Sequence, residues 1–229
     1  MPGSCLLYYI TDRTAFPGNE ASRLRRLLEK IQEAVQSRVD YIQLREKDLP
    51  ARDLESLARE AVSAVREARK LTAGQRPPTA LLVNSRTDVA FAVGADGVHL
   101  RSDDISPQDV KQIWKCGAGA PDRENSPHAP AIGISCHSPE EVALAAANGA
   151  DFTVFAPVFG KKDTHGNEAP AAGLEQLNKG CKASIPVLAL GGVNLWNARS
   201  CLEAGAAGIA GIRLFQENDI GEVVKQLRG

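Results

Sequence analysis

The sequence lacks long apolar runs, a basic N-terminal segment and an excess of positive charge. No apolar run approaches the ~20 residues that a membrane-spanning helix needs. The first residues carry neither a basic start nor a long apolar region, so they do not predict a secretory signal. Lys and Arg total 27 against 28 Asp and Glu, whereas nucleic-acid-binding proteins usually carry a net basic charge. We therefore expect a cytoplasmic protein without a membrane or nucleic-acid partner.

Paired cysteines are lacking as well. The five cysteines are scattered, odd in number and contain no C-x-x-C pair, unlike those of a disulfide framework or a zinc site. We expect reduced, structural thiols. Cys136 has an alternative interpretation as a nucleophile, because it lies between Ser135 and His137 at the end of an apolar run.

The sequence does contain eight short apolar runs, each followed by a segment with helical character. The runs lie at 6–10, 40–44, 80–83, 96–100, 131–135, 151–155, 186–190 and 207–211. Eight strands that alternate with helices in 229 residues predict an α/β fold, a (β/α)8 barrel, with 1–229 as one domain. In such a barrel, ligands bind at the C-terminal ends of the strands and in the loops that follow. The polar residues that close the runs are therefore the candidates for a functional site.

The segments between the runs show the spacing of amphipathic helices. In 21–37 the apolar residues recur on one helical face, namely Leu24, Leu27, Leu28, Ile31 and Val35. Residues 138–141 (Ser-Pro-Glu-Glu) combine an N-cap serine, a proline at the first helical position and a glutamate at the capping-box position. Only 12 residues separate Val83 from Asp96, so the third helix, from about 86 to 93, must be short.

Two polar segments interrupt this alternation. Residues 116–130 precede the fifth run, so they belong to the end of the barrel opposite the ligand. Residues 160–170 follow the sixth run and belong to the ligand-binding end. They carry two lysines, among them Lys162, and contain glycine, which suits a loop that folds over an anionic ligand. A solvated connection is the alternative.

Gln43, Arg45 and Lys47 form the strongest local pattern. Alternation along a strand places these three side chains on one side, at the mouth of the barrel. Inward-facing cations are costly unless they meet an anion, and an arginine fork beside a mobile lysine charge suits a diphosphate. The alternative is that Asp48, Glu46 or another internal carboxylate partly neutralises them.

Gly191 and Gly192 follow the seventh run and indicate a second anion site. Two glycines let the backbone approach a ligand closely, and we expect the next helix to offer free N–H groups. Barrels commonly bind phosphate after the seventh and eighth strands, and Arg213 would add a guanidinium there. A simple strand-to-helix turn is the alternative for the glycines. Two phosphate-sized sites in one mouth suggest two phosphorylated substrates.

Acidic and titratable residues close two further runs. Asp103 and Asp104 follow the fourth run, and carboxylate oxygens suit Mg²⁺, which often bridges a protein to substrate phosphates. The alternative for Asp104 is a place in the N-cap region of a helix that starts near Ser106. Ser135 and His137 close the fifth run. His137 is a candidate general acid–base because imidazole titrates near neutrality, although a merely hydrogen-bonded histidine is the alternative.

Taken together, these residues resemble the thiamine phosphate synthase/TenI superfamily. The resemblance covers nearly the whole chain, as YYITD (8–12), YIQLREKD (41–48), LLVNSRTDVA (81–90), ADGVHL (95–100), IGISCHSPEEV (132–142), GADFTVFAPVF (149–159), IPVLALGGV (185–193) and AGAAGIAGI (204–212). It implies a TIM barrel and a place in thiamine biosynthesis. Synthases of this kind join hydroxymethylpyrimidine diphosphate to a thiazole phosphate and release pyrophosphate.

The resemblance also implies residue roles. The family's Q-x-R-x-K run, matched at 43–47, holds pyrophosphate, and Asp104 matches a magnesium-binding aspartate. Asn84 matches the asparagine of an N-D pair, Ser135 a serine near the diphosphate, and Gly192 the glycine that receives the thiazole phosphate. The catalytic candidates are Arg45, Lys47, Ser135 and His137, and the substrate-binding candidates are Gln43, Arg45, Lys47, Asn84, Ser135, Lys162, Gly191, Gly192 and Arg213.

The chain departs from the synthase pattern at several strand ends. Ser85 replaces the aspartate of the N-D pair, which should weaken Mg²⁺ binding, and the usual G-Q-x-D reads Arg-Ser-Asp-Asp at 101–104. The T-x-T-K motif after the sixth run is missing, although Lys161, Lys162 and Thr164 are nearby, and a small residue is usual where Arg213 stands.

These departures favour TenI, a thiazole tautomerase that uses a histidine at the position of His137, whereas the intact run at 43–47 favours the synthase. We expect a synthase-type transferase with weakened Mg²⁺ binding, acting on small phosphorylated pyrimidine and thiazole substrates. A tautomerase and a non-catalytic thiazole phosphate-binding barrel are the alternatives. The sequence is compatible with a homo-oligomer and does not specify one.

Overall fold

A closed barrel of eight parallel strands forms the centre of the molecule in a computed structural model that describes residues 5–71, 78–116, 129–162 and 168–229. The strands are β1 (Leu6–Ile10), β2 (Tyr41–Leu44), β3 (Ala80–Asn84), β4 (Gly97–Leu100), β5 (Ala131–Cys136), β6 (Phe152–Phe155), β7 (Val187–Ala189) and β8 (Gly208–Gly211). Each strand pairs with the next along the chain, and β8 closes the barrel on β1. All eight apolar runs are therefore strands, and the predicted (β/α)8 barrel is confirmed.

Helices follow the strands and cover the outside of the barrel. They are α1 (Glu20–Gln36), α2 (Ala51–Leu71), α3 (Thr87–Ala92), α4 (Pro107–Cys116), α5 (Pro139–Ala147), α6 (Gly173–Gly180), α7 (Ala198–Glu203), α8 (Arg213–Gln216) and α9 (Ile220–Arg228). Helix α1 begins after Asn19, whose side chain accepts a hydrogen bond from the Ser22 amide, and α3 is as short as predicted. None of the helices within the described ranges has the length and apolar character of a membrane span.

Aspartates placed just before three strands fix the register at the bottom of the barrel, the end opposite the strand C-termini. The carboxylates of Asp40, Asp96 and Asp151 accept hydrogen bonds from the amides of Leu7, Leu81 and Ile132, the second residues of the neighbouring strands, each at 2.7 Å. These aspartates were predicted as strand residues, but their side chains cap the adjacent strand instead, so β2, β4 and β6 begin one residue later.

Apolar side chains fill the lower part of the barrel interior. Tyr8, Leu82, Phe152 and their neighbours form a cluster inside the ring of strands, separate from the larger core between strands and helices. Tyr41 stacks on Phe152 with ring centroids 4.4 Å apart. Because this packing closes the bottom, polar inward-facing residues are confined to the strand ends at the mouth.

The predicted loop at 160–170 contains regular structure. Lys161–Lys162 and Glu168–Ala169 form a short antiparallel hairpin, with Lys161 opposite Ala169. Thr164 and the rest of 163–167 lie outside the described residues, as does most of the segment 116–130.

Candidate functional site

The C-terminal ends of strands β2 to β5 bring four polar residues to the mouth end of the barrel interior. Asn84 is paired with His99 across β3 and β4, His99 with Gly133 on β5, and Gln43 of β2 with Leu82. Since side chains alternate along a strand, Gln43, Asn84, His99 and Ser135 all face the interior. Gln43 Nε2 donates to Asn84 Oδ1 at 3.2 Å, so these two candidates are in direct contact.

Arg45 and Lys47 follow β2 and lie in the predicted position at the rim. Arg45 is half-buried and Lys47 is exposed. Burial lowers the pKa of the Arg45 guanidinium, and the charge of Arg45, followed by partial burial and the charge of Arg101, lowers the pKa of Lys47. In the described part of the chain, neither side chain makes a hydrogen bond or an ion pair. The rim therefore holds excess positive charge.

The carboxylates next to these cations are bound by Arg13. Arg13 is only 4% exposed and contacts Glu46 at 3.2 Å and Asp48 at 2.7 Å. The second oxygen of Glu46 accepts from the Thr11 hydroxyl at 2.6 Å, and the same hydroxyl accepts from the Arg45 amide at 3.0 Å. Glu46 and Asp48 therefore form their direct ion pairs with Arg13, although the charges of Asp12 and Glu46 still act on the Arg45 guanidinium. The sequence pattern gave no signal for Arg13, which lies in the loop after β1.

A buried hydrogen-bonded chain supports Ser135. Ser135 Oγ lies 2.8 Å from His99 Nε2, and His99 Nδ1 lies 3.1 Å from the Tyr8 hydroxyl. Burial, with a smaller contribution from the Arg45 charge, lowers the pKa of His99 to about 3, so its imidazole is neutral. The sequence pattern did not identify His99 as a candidate for the site. Alternation along β4 directs the His99 side chain into the barrel near the C-terminal end of the strand, and this is the signal that could have identified it.

His137 and Cys136, after Ser135, differ sharply in environment. His137 is exposed, its amide donates to the Glu141 carboxylate at 2.7 Å, and its Nδ1 lies 2.6 Å from the Ala156 carbonyl. Because a carbonyl only accepts, Nδ1 carries the proton of this hydrogen bond, and Nε2 is the ring nitrogen that does not contact the carbonyl. Cys136 is buried, and burial raises the pKa of its thiol to about 12. The nucleophilic interpretation of Cys136 is therefore wrong.

The predicted metal ligand Asp104 is held by Arg101. One Asp104 oxygen accepts from the Arg101 amide at 2.8 Å, and the Arg101 guanidinium lies 3.6 Å from the other. The N-cap alternative for Asp104 is wrong, because Ser106 performs that role and accepts from the Asp109 amide at 3.2 Å. Asp104 closes a turn at the mouth and brings one carboxylate there.

Other carboxylates near Asp104 are also paired with arginines. Asp103 lies 3.2 Å from Arg101, and Asp88 forms a two-point ion pair with Arg86. No group of three metal-ligating side chains occurs among the residues that the structure describes. With Ser85 on the adjacent strand end, the described residues do not fit a magnesium ion held by the protein alone.

Gly191 and Gly192 form a tight turn at the end of β7, and both require glycine. Their φ values are +94° and +66°, and a Cβ would lie 2.6 Å from Pro157 at Gly191 and 2.7 Å from Phe159 at Gly192. The next helix follows the glycines at a distance, and its first turn has no side-chain cap. Helix α7 begins only at Ala198, and the intervening amides of Asn194, Trp196 and Asn197 are bonded to asparagine side chains.

The remaining candidates lie around the same rim. Arg213 is exposed at the start of α8, directly after β8. Lys162 is in the hairpin after β6, and its side chain lies outside the described atoms. The candidate residues thus come from the ends of seven strands and lie at one end of the barrel. Among the candidate side chains that the structure describes, Gln43 and Asn84 are the pair joined by a direct hydrogen bond.

Comparisons with known proteins agree with this architecture. A family model described as thiamine monophosphate synthase matches residues 7–215. The thiamine-phosphate synthase of Methanoculleus marisnigri is 35% identical over 225 residues, covering 97% of this chain and 93% of that protein. The thiamine-phosphate synthase of Roseiflexus sp. is 34% identical over 209 residues, covering 91% and 77%.

A solved structure is similar as well. The thiamine phosphate pyrophosphorylase from Pyrococcus furiosus superposes with a TM-score of 0.71 at 31% identity, covering 97% of this chain and 93% of that one. The family match over nearly the whole chain and these relatives lead to one conclusion: the chain belongs to the thiamine monophosphate synthase family.

Proposed function

We propose that the protein is a thiamine-phosphate synthase, a transferase that joins hydroxymethylpyrimidine diphosphate to thiazole phosphate and releases pyrophosphate. The observation that carries the proposal is the pair of rim cations, Arg45 and Lys47, whose neighbouring carboxylates are bound by Arg13. A site for a diphosphate leaving group needs this excess of positive charge. Membership of the family and the names of the relatives support the same activity.

The reaction would proceed by departure of the diphosphate followed by capture. The carbon–oxygen bond to the diphosphate breaks, and its electron pair leaves with pyrophosphate. The thiazole nitrogen then donates its lone pair to the resulting pyrimidine cation. Arg45 and Lys47 would stabilise the charge that develops on the leaving group, while Ser135 would donate a hydrogen bond to it. The half-buried Arg45 acts more strongly there than it would in water.

The other candidates would bind and orient the substrates. Gln43 and Asn84, joined to each other, would hold the pyrimidine diphosphate, and the turn at Gly191 and Gly192 with Arg213 would hold the thiazole phosphate. His137 and Lys162 would complete the rim. These roles, the small phosphorylated substrates, a homo-oligomer, the cytoplasmic location and the single-domain organisation stay predictions.

Magnesium also stays a prediction. Because the described residues bring only Asp104, which Arg101 already contacts, an ion would have to enter bound to the substrate's phosphates. No step above depends on it. The tautomerase is not favoured, because the relatives carry the synthase name and because Arg45 and Lys47 would have no diphosphate to bind.

The test is an assay of thiamine phosphate formation by the purified protein from both precursors, run with Mg²⁺ and with EDTA. We expect turnover, and we expect Arg45→Ala to lower kcat by about 10²–10³-fold, as for the loss of one preorganised charge donor. The control is Arg59→Ala on the exposed face of α2, which should leave turnover unchanged. The proposal would be wrong if no thiamine phosphate forms under either condition. If the protein then aromatises the thiazole phosphate tautomer, and this activity requires His137, the protein is a tautomerase.

A further inference from the structure

Tyr8 and His99 lie behind Ser135 inside the barrel, and the proposed function gives neither of them a role. Resting on the proposed function, we propose that Tyr8 and His99 are positioning residues that fix the Ser135 hydroxyl as a hydrogen-bond donor toward the leaving diphosphate. Three hydrogen bonds are involved: between Tyr8 and His99, between His99 and Ser135, and from Ser135 to the diphosphate. Which group donates in each of them decides what Ser135 can do chemically.

The direction is set at the buried end of the chain. Tyr8 is fully buried, and within the described residues its hydroxyl has one hydrogen-bond partner, His99 Nδ1. If Nδ1 carried the proton, the Tyr8 O–H would lie in the barrel without an acceptor, which costs about 1–3 kcal/mol. Tyr8 therefore donates and Nδ1 accepts. Burial also raises the pKa of Tyr8 well above its usual value, so the phenol keeps the proton that it donates.

The imidazole transmits this direction to Ser135. A neutral histidine carries one ring proton, and with Nδ1 as acceptor that proton is on Nε2. Nε2–H then donates to Ser135 Oγ at 2.8 Å. The serine oxygen is occupied as an acceptor, so the serine proton has to point elsewhere. The open direction is the barrel mouth, because Ser135 is the last inward-facing residue of β5 and is partly exposed.

The surrounding packing holds the imidazole in place. A Cβ at Gly133 would lie 2.9 Å from His99 Nδ1 and 2.5 Å from the Phe152 ring, so glycine at this position leaves the space that both rings occupy. Tyr8 packs edge-on against Phe152, with ring centroids 5.3 Å apart. Neither the histidine nor the phenol can rotate without disturbing this cluster.

The arrangement excludes a common alternative role. In a serine–histidine dyad, the imidazole accepts the serine proton and activates the hydroxyl as a nucleophile. Here Nε2 is already protonated, so His99 cannot take that proton without releasing its own to the buried side. Ser135 thus acts as a donor to an oxygen that gains negative charge when the carbon–oxygen bond breaks, and no covalent serine intermediate forms.

The first test is ¹⁵N NMR of histidine-labelled protein, which needs neither substrate nor activity. The His99 signals are assigned by their loss in His99→Gln. We expect a neutral ring with Nε2 protonated and Nδ1 unprotonated, unchanged from about pH 5 to about pH 9 because the pKa lies far below. In Tyr8→Phe we expect a mixture of the two tautomers. A wild-type ring with Nδ1 protonated would overturn the proposal even if the protein proves to be a synthase.

The second test compares two conservative variants. In His99→Gln the amide N–H lies near the position of Nε2 and can still donate to Ser135, whereas the amide of His99→Asn lies near Nδ1 and cannot reach it. We expect kcat of the Gln variant to exceed that of the Asn variant by about tenfold, and Tyr8→Phe to lose about three- to tenfold, with KM for the diphosphate little changed. The kcat of Ser135→Ala gives the activity that remains when the serine hydroxyl is absent.

These two tests separate the failures. Equal kcat losses in the Gln and Asn variants, with equal thermal stability, would show that His99 serves only packing and would overturn the positioning role. If the protein forms no thiamine phosphate at all, the proposed function fails, while the tautomer measurement still decides the direction of the chain.

Discussion

Replacing Arg13 by methionine removes the partner of three carboxylates, Glu20, Glu46 and Asp48, while keeping a side chain of similar length. Glu46 is the most sensitive partner because its side chain is only 1% exposed. Removing one member of a buried ion pair typically costs about 3–5 kcal/mol, because the remaining charge stays desolvated. Glu46 keeps its bonds from the Thr11 hydroxyl and the Arg13 amide in the variant, so we place the loss at the lower end, about 3 kcal/mol.

The loss should depend on pH with a definite sign. Burial already raises the pKa of Glu46 above its usual value in the folded protein, and the Arg13 contacts partly offset this rise. Without the guanidinium, the folded-state pKa rises further, so the folded variant binds a proton that the unfolded chain has released. Stability then falls as pH increases through this window, and Arg13→Met should be destabilised less at about pH 5 than at about pH 8.

Urea unfolding at both pH values measures this difference. The double variant Arg13→Met/Glu46→Gln should recover most of the stability at about pH 8, because no buried charge remains. Arg59→Met is the control, since an exposed pair with Glu55 is worth about 1 kcal/mol or less. A loss below about 1 kcal/mol in Arg13→Met, or a loss independent of pH, would refute the reasoning for Glu46.

Two further predictions concern the metal and the thiol. The affinity of the wild-type protein for pyrophosphate, measured by calorimetry, should change less than about threefold between Mg²⁺ and EDTA, because Arg101 engages Asp104. Aspartate at position 85 suits the left-handed backbone there (φ +56°), so the variant Ser85→Asp should bind pyrophosphate in a clearly Mg²⁺-dependent way. If pyrophosphate binding by the wild-type protein strongly required Mg²⁺, the first of these expectations would be contradicted. Cys136→Ala should keep kcat, and native Cys136 should not react with a thiol reagent at about pH 8, because burial suppresses the thiolate.

The barrel could be predicted from the sequence because parallel strands are buried on both faces. Such strands read as continuous apolar runs, and each of the eight runs is a strand. The hairpin at Lys161–Lys162 and Glu168–Ala169 escaped prediction, since strands of two residues have no measurable periodicity. The position of α7 escaped as well, because asparagine side chains in 194–197 satisfy amides that a helix start would otherwise leave free.

The candidate site could be predicted only in part, and the reason is the range of its contacts. Alternation along one strand identified Gln43 and Arg45 without knowledge of any neighbour. Arg13 meets Glu46 and Asp48 across 33 and 35 residues, and His99 meets Ser135 across 36 residues. Such pairings depend on which strands are adjacent in the closed barrel. Once the register is known, His99 is recognisable as a site residue, because it is paired with Asn84 and its side chain faces the same side of the sheet.

The two ends of the barrel treat charge in opposite ways, and the difference explains where ligands can bind. At the bottom, Asp40 pairs with Arg228 and Asp96 with Arg69, so two of the three carboxylates that fix strand register have a cationic partner. At the mouth, Arg13 forms ion pairs with Glu46 and Asp48, so Arg45 and Lys47 lie at the rim without a direct ion pair among the described residues. A bottom with matched charges stabilises the fold, whereas a mouth with unmatched positive charge is stabilised only when an anion arrives. This asymmetry puts anion affinity at the end of the barrel where Ser135 directs its proton.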